Sequence, residues 1–175
     1  MKRIAVIYQS KYGSTKQYSQ WIARDLGAEL FERSEVPPSS LQSFDIVIYG
    51  GGLYAGGVAG VDLVLKHPCP TLVVFTVGLA NPETTDYTEI LNRNFTPEQK
   101  EKIKRFHLRG AIDYSDLSLV HRGMMAMMKK MTIDPKAPEE WNDEDRLFLE
   151  TYGKTADFMD EASIAPLVEY VKGLC

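Results

Sequence analysis

Residues 4–15 read IAVIYQSKYGST, and this stretch decides the fold. Its first five residues, Ile4-Ala5-Val6-Ile7-Tyr8, form an apolar run of the kind found in a strand that is covered on both faces. The residues that follow are small or polar and lead directly into a helical pattern. The stretch therefore predicts a buried strand, a tight loop and a helix N-terminus in immediate succession.

The same alternation of short apolar runs and helical patterns continues along the chain. Further strands are predicted at residues 28–31, 45–49, 71–77 and 106–113. Helices are predicted at residues 15–26, 58–66, 96–105, 117–131, 151–162 and 165–174. Such alternation is typical of a parallel sheet with crossover helices. The sequence thus predicts one α/β domain over residues 1–175, a three-layer sandwich with helices on both faces of a five-stranded parallel sheet.

Composition excludes several classes of function. The chain has 175 residues and a net charge of −4, which gives no support for nucleic-acid binding. It has two cysteines, Cys69 and Cys175, and no Cys/His cluster of the spacing that zinc or iron–sulfur sites need. A disulfide framework is not indicated either, so we expect a cytoplasmic protein without a metal site.

The loop after the first strand, Ser10-Lys11-Tyr12-Gly13-Ser14-Thr15, has the composition of an anion site. A strand–loop–helix junction directs backbone N–H groups and a helix N-terminus at one spot. Hydroxyl groups add donors, and Gly13 permits close approach of the backbone. The loop matches neither GxGxxG nor GxxxxGK[ST], which disfavours dinucleotide and nucleoside triphosphate sites. The alternative is purely structural: Ser14 caps the helix and Gly13 forms a turn.

Two more loops follow later strands and are expected at the same edge of the sheet. In the order 2-1-3-4-5, strands 1, 3 and 4 are neighbours, and ligands bind outside their carboxyl ends. Gly50-Gly51-Gly52 is predicted to end the third strand, and Leu53-Tyr54-Ala55 continues that loop. We expect open backbone amides there and a flat ring packed on Tyr54; a flexible glycine loop is the alternative. Gly78-Leu79-Ala80-Asn81 offers a second wall.

These residues resemble the flavodoxin superfamily over nearly the whole chain. The resemblance rests on Ser10 to Thr15, on the run from Ser14 to Tyr18 into Trp21-Ile22, and on the glycine-rich segment at Gly50. It implies a flavodoxin-like fold and FMN, with the phosphate in the first loop and the flavin ring at the two later loops. It further implies electron transfer to a redox partner protein or a quinone, with no amino-acid residue required as a catalyst.

The C-terminal half is similar to the branch that contains menaquinone-dependent protoporphyrinogen oxidase. The similarity is carried by Arg109-Gly110-Ala111, Tyr114, Leu117, Arg122, Met125, Met128 and Met131. Residues 86–105 correspond to an extra segment of that branch, but here the segment mixes acidic and basic residues. A protoporphyrinogen or quinone oxidoreductase is therefore an alternative to a simple electron carrier, and a flavin-free binding module is a second alternative.

Residues 124–131 are rich in methionine and end in Lys129-Lys130-Met131. Flexible apolar side chains suit a surface that contacts a membrane or receives a hydrophobic quinone or porphyrin. They also suit the filling of a core. The sequence leaves a peripheral membrane contact and a buried core helix as the two interpretations of this segment.

Overall fold

The computed structural model describes all 175 residues. The chain divides into two compact units, one of Met1–Gly110 with Met159–Cys175 and one of Ala111–Phe158. Its strands are β1 (Ile4–Gln9), β2 (Glu29–Glu32), β3 (Ile46–Tyr54), β4 (Gly57–Val58), β5 (Leu72–Gly78), β6 (Lys104–Arg109), β7 (Ala111–Asp113) and β8 (Thr155–Asp157). Its helices are α1 (Ser14–Leu26), α2 (Asp62–Lys66), α3 (Thr88–Asn94), α4 (Pro97–Lys102), α5 (Leu119–Met128), α6 (Asp143–Thr151) and α7 (Ala165–Leu174).

The first unit is built on a parallel sheet of order β2-β1-β3-β5-β6, with the short β4 antiparallel to β3. Without β4 this is the predicted order 2-1-3-4-5. The predicted five-stranded parallel sheet is therefore confirmed, and one short strand is added to it. The prediction that residues 1–175 form a single domain stays a prediction.

Two apolar clusters cover the two faces of this sheet, as a three-layer sandwich requires. One contains residues of α1 and α7 packed on β1, β3 and β5, with Tyr18, Ile22 and Leu167 almost completely buried. The other contains residues of α2 and of the 3₁₀ segment Pro38–Ser43. Alternate residues of each strand point to opposite faces, so a strand packed on both sides is apolar throughout. That is the pattern seen in β1.

Helix α1 forms and ends as its sequence predicts. Its buried residues include Tyr18, Ile22 and Ala23, which share one face at helical spacing. Gly27 ends the helix with φ +60°, and its N–H bonds back to carbonyl oxygens of the last turn. A glycine is favoured there because the left-handed conformation carries no steric cost without Cβ.

Several predicted elements or bounds are wrong, including the helix predicted at 96–105, which ends at Lys102 because Lys104 begins β6. Strand β3 runs through Gly50 and ends at Tyr54, and the helix predicted at 58–66 is limited to α2 because Val58 pairs in β4. The fifth parallel strand stops at Arg109, since the following residues form β7 and pair with β8. That pairing also replaces the helix predicted at 151–162. In addition, α3 forms in a region that the sequence left without regular structure.

The second unit contains the antiparallel pair of β7 and β8 together with α5 and α6. Ser118 caps α5 by accepting a hydrogen bond from the N–H of His121, and Asn142 caps α6 in the same way. Helix α5 continues as a π-helical turn over Lys129–Ile133, so the predicted helix 117–131 is confirmed in its centre. None of the helices of the chain combines the length and the apolar composition that crossing a bilayer requires.

Candidate functional site

Three segments that the sequence singled out lie side by side at one edge of the first unit's sheet. The parallel register places Gln9 beside Gly51 and Gly51 beside Thr76. It also places Gly78 beside Arg109 on the outer strand. Because all of these residues lie at carboxyl ends of parallel strands, the segments that follow β1, β3 and β5 converge on a common edge, which is where open α/β sheets bind ligands.

The first segment presents the N-terminus of a 13-residue helix to solvent. Gly13 occupies the cap position with φ +102°, and no protein atom lies within 4 Å of the place where a Cβ would be. The cap therefore supplies no side-chain acceptor, and the first turn of α1 contains no acidic residue. The partial positive charge of this helix end is thus open to an external anion.

The other residues of this segment differ in how they can contribute. Ser10 shapes the loop, since its Oγ accepts a hydrogen bond from the Gly13 N–H at 3.1 Å. Lys11 is exposed, with its Nζ 5.7 Å from the centre of the Tyr12 ring. Thr15 is only 3% exposed, so its hydroxyl is a weaker candidate for contact with an external ligand. Ser14 begins the helix and lies beside Gly110.

The glycines of β3 serve the packing of the sheet. A Cβ on Gly50 would lie 2.2 Å from the Phe75 ring, and one on Gly51 would lie 2.7 Å from a Val58 methyl group. Gly51 and Gly52 continue the parallel ladder between β1 and β5. The expectation of open backbone amides in a loop at Gly51 and Gly52 is therefore wrong, because that backbone belongs to the sheet.

The end of β3 is a tight hairpin, and α3 holds its tip. Tyr54 pairs with Gly57, and the two residues between them have positive φ values, +49° at Ala55 and +77° at Gly56. A two-residue loop with positive φ at both positions is typical of a type I′ turn. Arg93 donates to the Ala55 carbonyl at 2.7 Å, and the Asn94 amide donates to the Gly56 carbonyl at 2.8 Å. The hairpin is thus fixed by side chains about 40 residues away in sequence.

Two tyrosines connect the hairpin to the first segment. The rings of Tyr12 and Tyr54 meet edge to face, with centroids 6.5 Å apart. Tyr54 also lies against Gly52, whose missing side chain leaves room for the ring. Burial raises the pKa of the Tyr54 hydroxyl, and the neighbouring Tyr12 raises it further. The Tyr54 hydroxyl is therefore neutral at physiological pH, and the two rings present aromatic surface next to the helix N-terminus.

The segment after β5 is organised largely by its own hydrogen bonds. Asn81 accepts from the Glu83 N–H through its side chain, and its carbonyl accepts from the Thr85 N–H and hydroxyl. Leu53 covers Gly78, with its Cδ1 3.1 Å from the place where a Cβ would be. Leu79 and Ala80 are half-buried. Gly78 therefore lies beside Leu53 of β3 and Asn81 is used in shaping the loop, and the second wall expected from Gly78, Leu79, Ala80 and Asn81 stays a prediction.

Sequence reasoning missed the contribution of β6 and of the end of this loop. The Gly110 N–H donates to the Gly78 carbonyl at 2.8 Å, and the Arg109 Nε donates to the Leu79 carbonyl at 3.1 Å. Tyr87 stacks on His107 with ring centroids 3.6 Å apart. Burial and, to a smaller extent, the charge of Arg105 together lower the pKa of His107 to about 4, so the imidazole is neutral at pH 7. No local signal predicts these contacts because they join residues 20 or more positions apart in the sequence.

The sequence model of the family described as "Flavodoxin domain" matches residues 5–139. The chain belongs to this flavodoxin family. Membership confirms the predicted flavodoxin-like fold and the predicted class of function, a flavodoxin-type electron-transfer flavoprotein. Among curated proteins, none matches the chain.

The flavodoxin-family chain is also similar to solved structures at low sequence identity. Oxidised flavodoxin 1 from Bacillus cereus is 18% identical, with 65% of this chain and 88% of that chain covered and a TM-score of 0.42. A flavoprotein in complex with FMN from Lactobacillus acidophilus is 13% identical, with coverages of 62% and 93% and a TM-score of 0.42. Rubredoxin:oxygen oxidoreductase from Desulfovibrio gigas is 16% identical, with coverages of 66% and 32% and a TM-score of 0.43.

Proposed function

We propose that this chain binds FMN at the carboxyl edge of its sheet and transfers electrons between redox partners. The observation that carries the proposal is the N-terminus of α1, where the cap residue is a glycine with φ +102° that makes no side-chain capping hydrogen bond. No acidic residue of that turn opposes an anion. A phosphate monoester fits such a helix end through backbone N–H groups and the helix dipole.

The residues next to the phosphate subsite fit a flat ring. Tyr12 and Tyr54 offer aromatic surface, and Leu53 and Leu79 add apolar surface beside it. A planar heterocycle packs well on such groups. In this proposal Lys11 faces the phosphate as a mobile cation, and Tyr54 orients the ring. The backbone of Ala55 and of Gly78 to Asn81 meets the polar edge of the ring.

FMN, when bound, supplies reversible transfer of one or two electrons. The task of the chain's own residues is then to hold the phosphate, to keep the ring in one orientation and to limit its contact with water. The hairpin at Ala55 suits this task because hydrogen bonds from the side chains of Arg93 and Asn94 fix its tip. A preformed wall reduces the entropy that ordering a loop would cost.

Titration of the purified chain with FMN tests the proposal, with flavin fluorescence as the measurement. We expect saturable quenching with one FMN per chain, and a dissociation constant for riboflavin at least about 30-fold larger, since riboflavin lacks the phosphate. Equal affinities for FMN and riboflavin would contradict a phosphate subsite at α1. A chain that is isolated colourless and cannot be reconstituted with FMN would instead be a flavin-free binding module.

A second candidate function is an oxidoreductase for a quinone or for protoporphyrinogen. It is favoured by the exposed methionines of residues 124–131, which offer apolar surface to a hydrophobic molecule. Anaerobic incubation with protoporphyrinogen and menadione tests it: two electrons pass to menadione at each step of porphyrinogen oxidation. Porphyrin fluorescence above a flavin-only control supports this function, and its absence leaves the electron carrier.

We also propose that the chain acts in the cytoplasm. Cys69 and Cys175 are both free thiols in the structure. Burial raises the pKa of Cys69 to about 11, which keeps that thiol protonated and unreactive. Two unpaired cysteines suit a reducing compartment.

A further inference from the structure

Helix α5 turns an apolar face to solvent. None of its residues is buried. The exposed fraction is 85% for Leu119, 70% for Val120, 63% for Met127 and 69% for Met131 in the following π-helical turn. Met124 and Met128 are also exposed. The interpretation of residues 124–131 as a buried core helix is therefore wrong.

The exposed apolar side chains form one continuous side of the helix. At about 100° per residue, positions 119, 120, 123, 124, 127 and 128 fall within about half of the helix circumference. The half-buried residues, His121, Met125 and Lys129, recur every fourth position on the opposite side. A surface helix usually has the reverse arrangement, with its polar side in water. This face is therefore built for contact with something apolar.

The charged residues of the same segment indicate what kind of surface binds to this apolar face. No Asp or Glu occurs between Asp116 and Asp134, whereas Arg122, Lys129 and Lys130 give the segment three positive charges in a chain of net charge −4. Lys129 is paired with Asp134 at 2.6 Å. Arg122 and Lys130 are exposed. Cations next to an apolar helix face complement an anionic lipid surface, which combines acidic headgroups with a hydrocarbon interior.

We propose that α5 and its π-helical continuation dock on the surface of an anionic lipid bilayer. The Leu, Val and Met side chains of the exposed face enter the layer below the headgroups, and Arg122 and Lys130 contact lipid phosphates. Methionine suits a fluid environment because its unbranched side chain adapts to irregular surroundings. The docking does not depend on FMN, so it goes beyond the proposed function and can fail independently of it.

Sedimentation of the full chain with lipid vesicles tests the proposal. We expect binding to vesicles of equal parts phosphatidylglycerol and phosphatidylcholine, and binding at least about tenfold weaker to phosphatidylcholine alone. Binding should also weaken as salt is raised, because salt screens the lipid charge. No binding to either vesicle, or equal binding to both, would overturn the proposal.

Two matched double variants separate the apolar contact from net charge. Met127→Glu with Met131→Glu should weaken binding to the phosphatidylglycerol vesicles at least about tenfold. Gln20→Glu with Ser39→Glu adds the same charge at exposed polar positions and should leave binding within about twofold. All four positions are exposed, so both proteins should fold, which circular dichroism checks. Equal loss in the two variants would contradict docking through α5.

Sedimentation velocity excludes the main competing occupant, a second copy of the chain. A wild-type dimer that the Met127→Glu/Met131→Glu variant converts to monomer, without vesicle binding by either protein, would overturn lipid docking. FMN titration of the same variants keeps the two proposals apart. Their FMN affinity should equal that of the wild type, and vesicle binding by a chain that fails to bind FMN would contradict the proposed function alone.

Discussion

Two glycine-containing segments, a turn after β1 and a stretch of strand β3, use glycine for opposite reasons. At the end of β1, Gly13 has φ +102° and open space where a side chain would be. Along β3, Gly50 has an ordinary strand conformation and the Phe75 ring occupies the space of its missing side chain. The first glycine leaves room for a ligand, whereas the second leaves room for the core. The amino-acid composition of the two segments does not distinguish these uses. The φ angle of each glycine, and whether other atoms fill the space of its missing side chain, do.

The largest effect is expected from Gly50→Ala. The new Cβ would lie 2.2 Å from a ring carbon of Phe75, which is completely buried and cannot move without disturbing β5. Overpacking of this kind should lower the free energy of unfolding by about 3 kcal/mol. Urea unfolding followed by circular dichroism measures it. Gly57→Ala is the matched control, since its nearest atom is 3.4 Å away, and it should cost less than about 1 kcal/mol.

An unfolding curve of Gly50→Ala that matches the wild type would contradict the packing role of this glycine. It would mean that the Phe75 ring can move aside. The space beside Gly50 would then be available to another group, as the space beside Gly13 is.

Ser14→Asp changes the turn at Gly13, and we expect it to weaken the binding of FMN. A carboxylate in the first turn of α1 would repel a phosphate there, and like charges in contact cost several kcal/mol. We expect the FMN dissociation constant to rise about 100-fold, or about 2.7 kcal/mol. Stability should stay equal or rise by up to about 1 kcal/mol, because an acidic residue suits a helix N-terminus. The neutral Ser14→Asn variant should retain most of the affinity.

The alternative is that Ser14 and Gly13 serve only to start the helix and bind no phosphate. In that case the Ser14→Asp and Ser14→Asn variants should bind FMN with equal affinity. Riboflavin affinity supplies a further check, since it should be unaffected by either substitution.

The sequence predicted the parts of this fold that depend on local patterns. The apolar run of β1, the helical spacing of Tyr18 and Ile22 and the left-handed glycine that ends α1 are all encoded within a few residues. The order of the parallel strands comes from the resemblance to flavodoxins, and the convergence of the loops at one edge follows from that order. The loop from Ser10 to Thr15 could also be predicted from the local sequence, because the strand, the loop and the helix follow one another directly in the chain.

The parts that could not be predicted depend on distant residues. Gly50-Gly51-Gly52 has the composition of a strand end, but pairing with β1 and β5 and the packing of Phe75 on Gly50 keep it in the sheet. Helix α3 has a weak pattern of its own and is joined to the hairpin through Asn94. Strand β7 has a partner more than 40 residues away, β8, within a segment of helical pattern. Tertiary contacts override local propensity in each case.

Asn94→Ala tests how strongly the side chain of Asn94 stabilises the hairpin. The side-chain oxygen of Asn94 accepts from the buried Val58 N–H at 2.9 Å, and its amide donates to the Gly56 carbonyl. Loss of both bonds leaves a buried donor unsatisfied, so the free energy of unfolding should fall by about 2 kcal/mol. Hydrogen exchange at Val58 should accelerate as well. Asn92→Ala, on the exposed side of α3, is the matched control and should change stability by less than about 0.5 kcal/mol.

A smaller effect of opposite sign is expected from Ala55→Asn at the turn itself. Ala55 is the one non-glycine residue of the chain with positive φ, +49°, and it precedes Gly56 in a type I′ geometry. Alanine is disfavoured there, whereas Asn-Gly is the preferred pair, so Ala55→Asn should raise the free energy of unfolding by about 0.5–1 kcal/mol. Ala55→Val, which introduces a β-branched side chain at the same position, should lower it by a similar amount. If both variants destabilise equally, side-chain size at the exposed tip and not backbone conformation sets the stability of the hairpin. If they diverge as expected, the backbone conformation at Ala55 sets the stability of the hairpin that carries Tyr54, the residue proposed to orient the flavin ring.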